Sequence, residues 1–479
     1  MKKRAPILIA SGILIIGLIG FGAWWQSATK ARDAVVMRLP PVPDLTSAPP
    51  ALVERISIAD TAATSRRDPV AGLIELSRLY HANGYLDAAS ITYEALAELR
   101  PEAARWPHLH ATIRAGYGQA AAAIALWQRT IELAPDYLPA RLRYADLLLK
   151  DNQTAAAETA YLAALEIDSN NPYALLGLAR IDFEAENWND ARRRLEKVVG
   201  QTNYTLGYDL IVTLYERLGL DARAEAIRGQ SRASGAYRDP EDPWLDEILP
   251  DSYDPFMLAL EAGTKARRGN PVAAIQLLEQ AIAVAPTDLS AHFQLANLHR
   301  EQRNIDQARD YYRRCTQLDP EFADGWAQLS DLHAKTSNPS AAIRVLEAGL
   351  EACPDSPGLH LMKARRQRAV GEYGPALTSY RKSISLRPNE PDAYLELGIA
   401  LIDFDRRELG ISNIRAALET DPANPTALGI LAFNAIELGN QTEANAMLTR
   451  IAAQPVFERP RFDQLKTVYA QKFGTEWSQ

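Results

Sequence analysis

LSAHFQLANLHREQRNIDQARDYYRRCTQLDP, residues 289–320, decides how the rest of the chain is organised. It divides into two short amphipathic helices joined by a polar turn. In the first, Leu295, Ala296 and His299 recur at i, i+1 and i+4; in the second, Ala308, Tyr312 and Cys315 recur at i, i+4 and i+7. This is the spacing of one buried stripe on a helix. Arg303 and Asn304 fill the turn, and Asp319-Pro320 ends the second helix, because proline supplies no further backbone donor. Two such helices cannot bury a core alone, so the stretch predicts neighbours of its own kind.

Those neighbours are spaced evenly. The small residue at Ala308, where the two helices should cross, recurs at Ala89, Ala123, Ala157, Ala191 and Ala224, then at Ala274, Ala308, Ala342, Ala376, Gly410 and Ala444. Each step is 34 residues, except 33 before Ala224 and 50 before Ala274. Four residues further on sits a large side chain, among them Tyr93, Trp127, Tyr161, Tyr312 and Tyr380, with Arg228 the exception. A helix-ending proline recurs at Pro101, Pro135, Pro286, Pro320, Pro354, Pro388 and Pro422. A helix-turn-helix period of 34 residues with this pattern resembles the tetratricopeptide repeat, TPR. The resemblance implies an all-α, right-handed α-solenoid of about eleven units in two blocks, residues 68–236 and 256–456.

Composition narrows the partners. The net charge of −8 argues against nucleic acid, whose phosphates need a basic stripe. Cys315 and Cys353 are the two cysteines, and no CxxC occurs, so neither a metal ribbon nor a dithiol redox site is available. Both read as small buried apolar residues in or near second helices.

Outward from the repeats, the N-terminus has its own character. Residues 1–4, MKKR, form a short cytoplasmic tail before Ala5–Trp25, a run without charge about long enough to cross a bilayer. Trp24 and Trp25 suit an interfacial aromatic belt, and the run exceeds a usual signal-peptide core with no clean cleavage site after it. The expectation is an uncleaved signal anchor and transmembrane helix in a bacterial inner membrane. Lys2, Lys3 and Arg4 outweigh Lys30 and Arg32, which places the repeats on the extracytoplasmic, periplasmic side. Residues 26–67 are expected to form a proline-rich linker, with MRLPPVPDLTSAPP from Met37 to Pro50 as a semi-stiff spacer and one short helix from Leu52 to Ala63. Between the blocks lies YRDPEDPWLDEILPDSYDP, residues 237–255. Its stretch Asp239–Asp254 holds seven acids and no base. Two readings stand for this insertion: a covered joint with Trp244 plugging the gap, or a segment lying in the groove or offered as a docking site. Residues 457–479 read as a capping helix whose apolar face is Phe462, Leu465, Val468 and Tyr469.

No catalytic motif is present: neither G-x-S-x-G, H-E-x-x-H, a P-loop nor G-x-G-x-x-G. His292, His299, His333 and His360 fall at packing positions of first helices, so no metal or cofactor is expected. The TPR resemblance implies that exposed positions of the first helices line a concave groove that takes peptides or partner helices. In the first block these positions are Tyr173, Leu176, Arg180 and Phe183. In the second they are Phe293, Asn297, Arg300, Asp324, Asp331, Arg365, Arg368, Leu395, Ile399, Ile402, Phe433 and Ile436. Phe293 stands where chaperone-tail-binding TPR proteins place a clamp lysine, so that clamp is incomplete. The reading that follows is a membrane-anchored scaffold for protein partners, without catalysis. An assembly or maturation chaperone for exported proteins such as c-type cytochromes is the alternative, and an enzyme a remote third.

Overall fold

The computed structural model describes residues 25–202, 204–231, 240–336, 338–454 and 459–477, and among them every element of regular structure is a helix. The register predicted from the sequence is the register observed. Helix pairs run Pro69–Ala82 with Leu86–Leu99, Arg105–Gly116 with Ala120–Leu133, Leu138–Lys150 with Thr154–Ile167, Pro172–Glu184 with Trp188–Gln201, and Thr205–Arg217 with Asp221–Ser231. Further along, Leu289–Glu301 pairs with Ile305–Leu318, Ala323–Lys335 with Pro339–Ala352, Pro357–Ala369 with Tyr373–Leu386, Pro391–Asp403 with Arg407–Thr420, and Pro425–Glu437 with Gln441–Ala452.

Local chemistry starts and ends these helices. Asp68, Asn171, Asn338, Ser356 and Asn424 each accept a hydrogen bond from an N–H of the first turn, and each is followed by proline. That order satisfies an orphan donor and pre-sets φ for the helix. The turn within each pair passes through one left-handed residue: Gly84, Gly118, Asn152, Glu186 and Gly219, then Gly269, Arg303, Gly371, Asp405 and Gly439. Four of these are not glycine, so the sequence hides a strict backbone rule behind varied side chains.

Packing follows the small-large pattern. Ala89, Ala123, Ala157, Ala191, Ala274, Ala308, Ala342, Ala376 and Ala444 are fully buried, and so are Tyr93, Tyr161, Tyr312 and Tyr380. At the Gly398–Gly410 crossing a β-carbon on Gly410 would lie 2.6 Å from the Gly398 carbonyl oxygen, so neither helix tolerates a side chain there. Arg228, the exception to the large-residue rule, is half-exposed and pairs with Glu216 and Glu225.

Residues 26–67 are not a spacer. Residues 25–36 are helical, Pro50–Ala63 forms the expected short helix, and Val35, Leu52 and Ile56 are buried with Leu73, Leu76 and Tyr93 in one core. Leu39, Leu45 and Ala48, within the proline-rich run, pack against the same core, and Arg38 pairs with Glu98 at 2.7 Å. The apolar residues between the prolines carry this segment onto the repeats rather than away from them. The anchor expected at residues 5–25 lies, but for Trp25, outside the described residues; among those described, no helix is long and apolar enough to cross a membrane.

The chain divides into two compact units between Asn270 and Pro271. The division falls later than the expected boundary at 255/256, because the helix Pro255–Arg267 belongs with the first unit. Lys265 reaches Asp246 at 2.6 Å there. In the second unit the C-terminal helix Arg459–Phe473 closes the last core as a cap, with Phe462 and Tyr469 buried and Leu465 and Val468 packed beside them.

Candidate functional site

The polar chemistry of the first unit is concentrated where the acidic insertion meets the repeats. Residues 240–253 lie along the first helices of the first three repeats and the helix before them, and four arginines from four successive helices meet them. Arg143 of Leu138–Lys150 donates through Nε to Asp242 Oδ2 at 2.9 Å. Arg105 of Arg105–Gly116 pairs with Glu247. Arg78 of Pro69–Ala82 donates to the Glu247 carbonyl at 3.0 Å and to Asp251 Oδ2 at 2.8 Å. Arg55 of Pro50–Ala63 reaches Asp251 Oδ1 at 2.9 Å and also pairs with Glu75.

Two anchors hold the ends of this segment. At one, Asp242 is 2 % exposed and faces the fully buried His108, whose Nε2 lies 2.9 Å from Oδ2. Tyr137 donates its hydroxyl to Asp242 Oδ1 at 2.7 Å. Burial works to raise the Asp242 carboxyl, but His108, Arg143 and Tyr137 overcome it and hold it below the usual carboxylate range. Trp244 stacks on Tyr137 with ring centroids 3.5 Å apart and donates its backbone N–H to the same hydroxyl at 3.1 Å. Burial and Asp242 together raise the Tyr137 phenol, which stays a donor. At the other end, Asn83 treats the segment as a β-strand would. Its Nδ2 donates to the Asp251 carbonyl at 2.9 Å, and its Oδ1 accepts the Tyr253 N–H at 2.7 Å. Between the anchors Ile248 enters the first core, with Trp244, Leu245 and Tyr253 packed against it.

Beyond the segment the same face stays open. One cavity of about 940 Å³ is lined by Leu138, Leu142, Tyr173, Glu241, Leu260 and Arg267. Another, of about 730 Å³, is lined by Arg143, Asp146, Lys150, Tyr173, Arg180 and Asp209. Leu176, expected on this face, is fully buried in a core. Tyr173 is mostly buried, with its hydroxyl bonded to Asp146, and borders both cavities rather than standing free. Arg180 lines the second, and neither its side chain nor that of Lys150 forms an ion pair among the described residues. Phe183 is edge-on to Trp188 with Arg217 over its ring, which takes it out of the groove.

In the second unit the expected groove residues are largely occupied with one another. Phe293 packs on Tyr312 and Phe322, and Asn297 accepts the Tyr312 hydroxyl at 2.6 Å. Arg300 bonds Gln328, Asp331 meets Arg366 at 2.8 Å and Lys335 at 2.7 Å, Arg365 forks onto Glu396 and Arg368 pairs with Asp403 at 2.7 Å. Each long-range pair bridges successive first helices, because residues on neighbouring first helices come into register one repeat apart. The charged centre therefore stitches repeats together. Leu395 and Ile436 are buried, contrary to the expectation that they face a partner; the 3.6-residue period turns both toward the core. Ile399 and Ile402 are half-buried against that core. Asp324 is exposed, and Phe433 is 42 % exposed on the rim of a cavity of about 310 Å³ formed with Ile430, Leu465 and Val468.

The histidines pack as expected. His292 and His360 bond the carbonyls of Pro286 and Pro354 at 3.0 and 2.9 Å, a role that Trp326 fills for Pro320 and Arg141 for Pro135. All four sit six residues after the proline, so one structural task is met by three residue types. Among the described residues no group of His, Cys, Asp or Glu is arranged to hold a metal ion. Arg55, Arg78, Asn83, Arg105, His108, Tyr137 and Arg143 were not singled out by the sequence. Their signal was indirect: seven acids without a base require cations from elsewhere in the chain.

Comparison with known proteins agrees with the repeat. One family model described as tetratricopeptide repeat matches residues 148–203 and 266–314, and a second matches 109–172 and 293–357. The chain carries tetratricopeptide repeats. It is 24% identical over 243 residues to the human protein O-mannosyl-transferase TMTC3, covering 51% of this chain and 22% of that protein. It is 23% identical over 364 residues to cellulose synthase operon protein C of Pseudomonas fluorescens (strain SBW25), covering 74% of this chain and 26% of that one. The chain thus spans about a quarter of the length of these curated relatives. Among solved structures, PilW, a type IV pilus biogenesis factor, aligns at a TM-score of 0.37 and 16% identity, over 44% of this chain and 97% of PilW.

Proposed function

We propose that this chain is a protein-binding scaffold, anchored in a bacterial inner membrane through residues 5–25 with its repeats on the extracytoplasmic side, and without catalysis of its own. The observation that carries the binding role is the first-helix face of the first unit, which holds a peptide segment through side-chain ion pairs, a buried aspartate and an asparagine reading its backbone. A face that holds one segment in this way has the chemistry to hold another. The anchor rests on the uncharged run after MKKR and on the excess of basic residues before it.

In the second unit the free surface is narrower than the sequence suggested. Phe433 with its cavity, and Asp324, remain for a partner, whereas the arginines are spent on inter-repeat pairs. The test is recovery of bound partners from membrane extracts by the full chain and by a Phe433→Ser, Asp324→Lys, Arg180→Glu variant. Recovery falls in the variant if these faces bind partners, and unchanged recovery rejects the assignment. A reporter fused after Gln479 and active only outside the cytoplasm is expected to be active; activity confined to the cytoplasm rejects the orientation.

A further inference from the structure

The segment on the first-helix face is unusual as mere joinery. A joint between repeats is closed most simply by apolar side chains, since burying an ion pair gains little over a well-packed apolar replacement. Here the chain sends Asp242, Asp246, Glu247 and Asp251 against His108, Arg143, Lys265, Arg105, Arg78 and Arg55, and only Ile248 is fully in the core. Arginine forks and a side-chain amide reading the backbone are devices of peptide recognition. The face also continues past the end of the segment. Arg180 and Lys150 line the neighbouring cavity of about 730 Å³ without ion-pair partners among the described residues.

We propose that the first-helix face of the first unit is a binding site for acidic peptides of a partner protein, with an aspartate two residues before a tryptophan and a second aspartate nine residues after the first, and that residues 240–253 occupy this site in cis. The inference rests on the scaffold reading and adds the chemistry of the partner and a means of control. The partner's first aspartate enters the His108–Tyr137–Arg143 pocket, its tryptophan stacks on Tyr137, and its second aspartate takes the fork of Arg55 and Arg78. Acidic residues flanking the first aspartate reach Arg180 and Lys150. While the cis segment is seated, the site is closed to a partner by the fraction of time the segment is in place.

The probe is a fluorescein-labelled peptide of residues 240–253, PEDPWLDEILPDSY, added to the full chain and followed by anisotropy at low and high salt. Two variants free the face: Trp244→Ala, and a chain with residues 240–253 replaced by a Gly-Ser segment of equal length. Circular dichroism reports whether each is folded. The expected result is binding at least about tenfold tighter to the freed chains than to the wild type, weakening with salt, and lost again when Arg143→Glu is added. Equal affinity for wild-type and freed chains, or no binding to a folded freed chain, overturns the proposal. So does unfolding of both freed chains, since a segment required for folding is a structural member. Dimerisation of the freed chain without peptide binding also overturns it, in favour of exchange between copies. Partner recovery through Phe433 and Asp324 is read separately, so the scaffold reading survives failure here.

Discussion

Burial alone would raise the Asp242 carboxyl, and it is held low because His108, Arg143 and Tyr137 all face it. Replacing it by asparagine leaves Arg143 and His108 turned toward a group that cannot balance them. Asp242→Asn should destabilise the first unit by about 3 kcal/mol, measured by urea unfolding. The histidines nearby titrate the other way. Burial pushes His81 down to about 4, and burial with Arg114 does the same to His110, so both remain neutral in the fold. Their contribution is whole above the ordinary value of 6.5 and is lost as pH falls toward 4. Asp242's contribution is present above its ordinary 3.8 and is lost below it. The melting temperature of the first unit is therefore expected to fall in two stages on acidification, and His110→Gln to flatten the upper one. None of this was legible in the sequence. His108 and Asp242 are 134 residues apart, and neither sits at a position that the repeat makes special.

At the scale of the helix pair the sequence was far more informative, because each pair repeats the same local solution. The stripe of Ala308, Tyr312 and Cys315 is buried as read, and burial pushes the Cys315 thiol up to about 12. What the stripe concealed was the turn. Arg303 and Glu186 hold left-handed φ values of 62° and 61°, a conformation that costs a non-glycine residue about 1 kcal/mol. Glu186→Gly should therefore be neutral to stabilising by up to about 1 kcal/mol, since added unfolded-state freedom offsets part of the relief. Gly410→Ala should destabilise the second unit by about 2 kcal/mol or more, because the new methyl meets backbone rather than a movable side chain. Thermal denaturation of the two variants checks both signs. The groove residues failed as a set for a reason at this same scale. A helical period assigns a face, but it cannot say that Arg365 and Arg368 already have partners one repeat away.

For the whole chain, each unit protects its ends with borrowed elements. Residues 25–63 cover the first core, and Arg459–Phe473 covers the last. Truncation before residue 459 should expose the face of Leu428, Leu431 and Ile436 and lower the melting temperature of the second unit, with aggregation near it. The acidic insertion was the least legible part of the chain. Its composition allowed either a plug or a groove segment, and only the tertiary contacts show it lying along the first-helix face. Hydrogen exchange across residues 240–253 of the full chain tests that placement most directly. The Trp244 and Tyr253 amides, bonded to Tyr137 and Asn83, should be protected, though less than those of Leu73–Leu79. That protection should collapse when Arg78 and Arg143 are both replaced by alanine. Exchange of these two amides at unprotected rates in the wild-type chain would contradict the account.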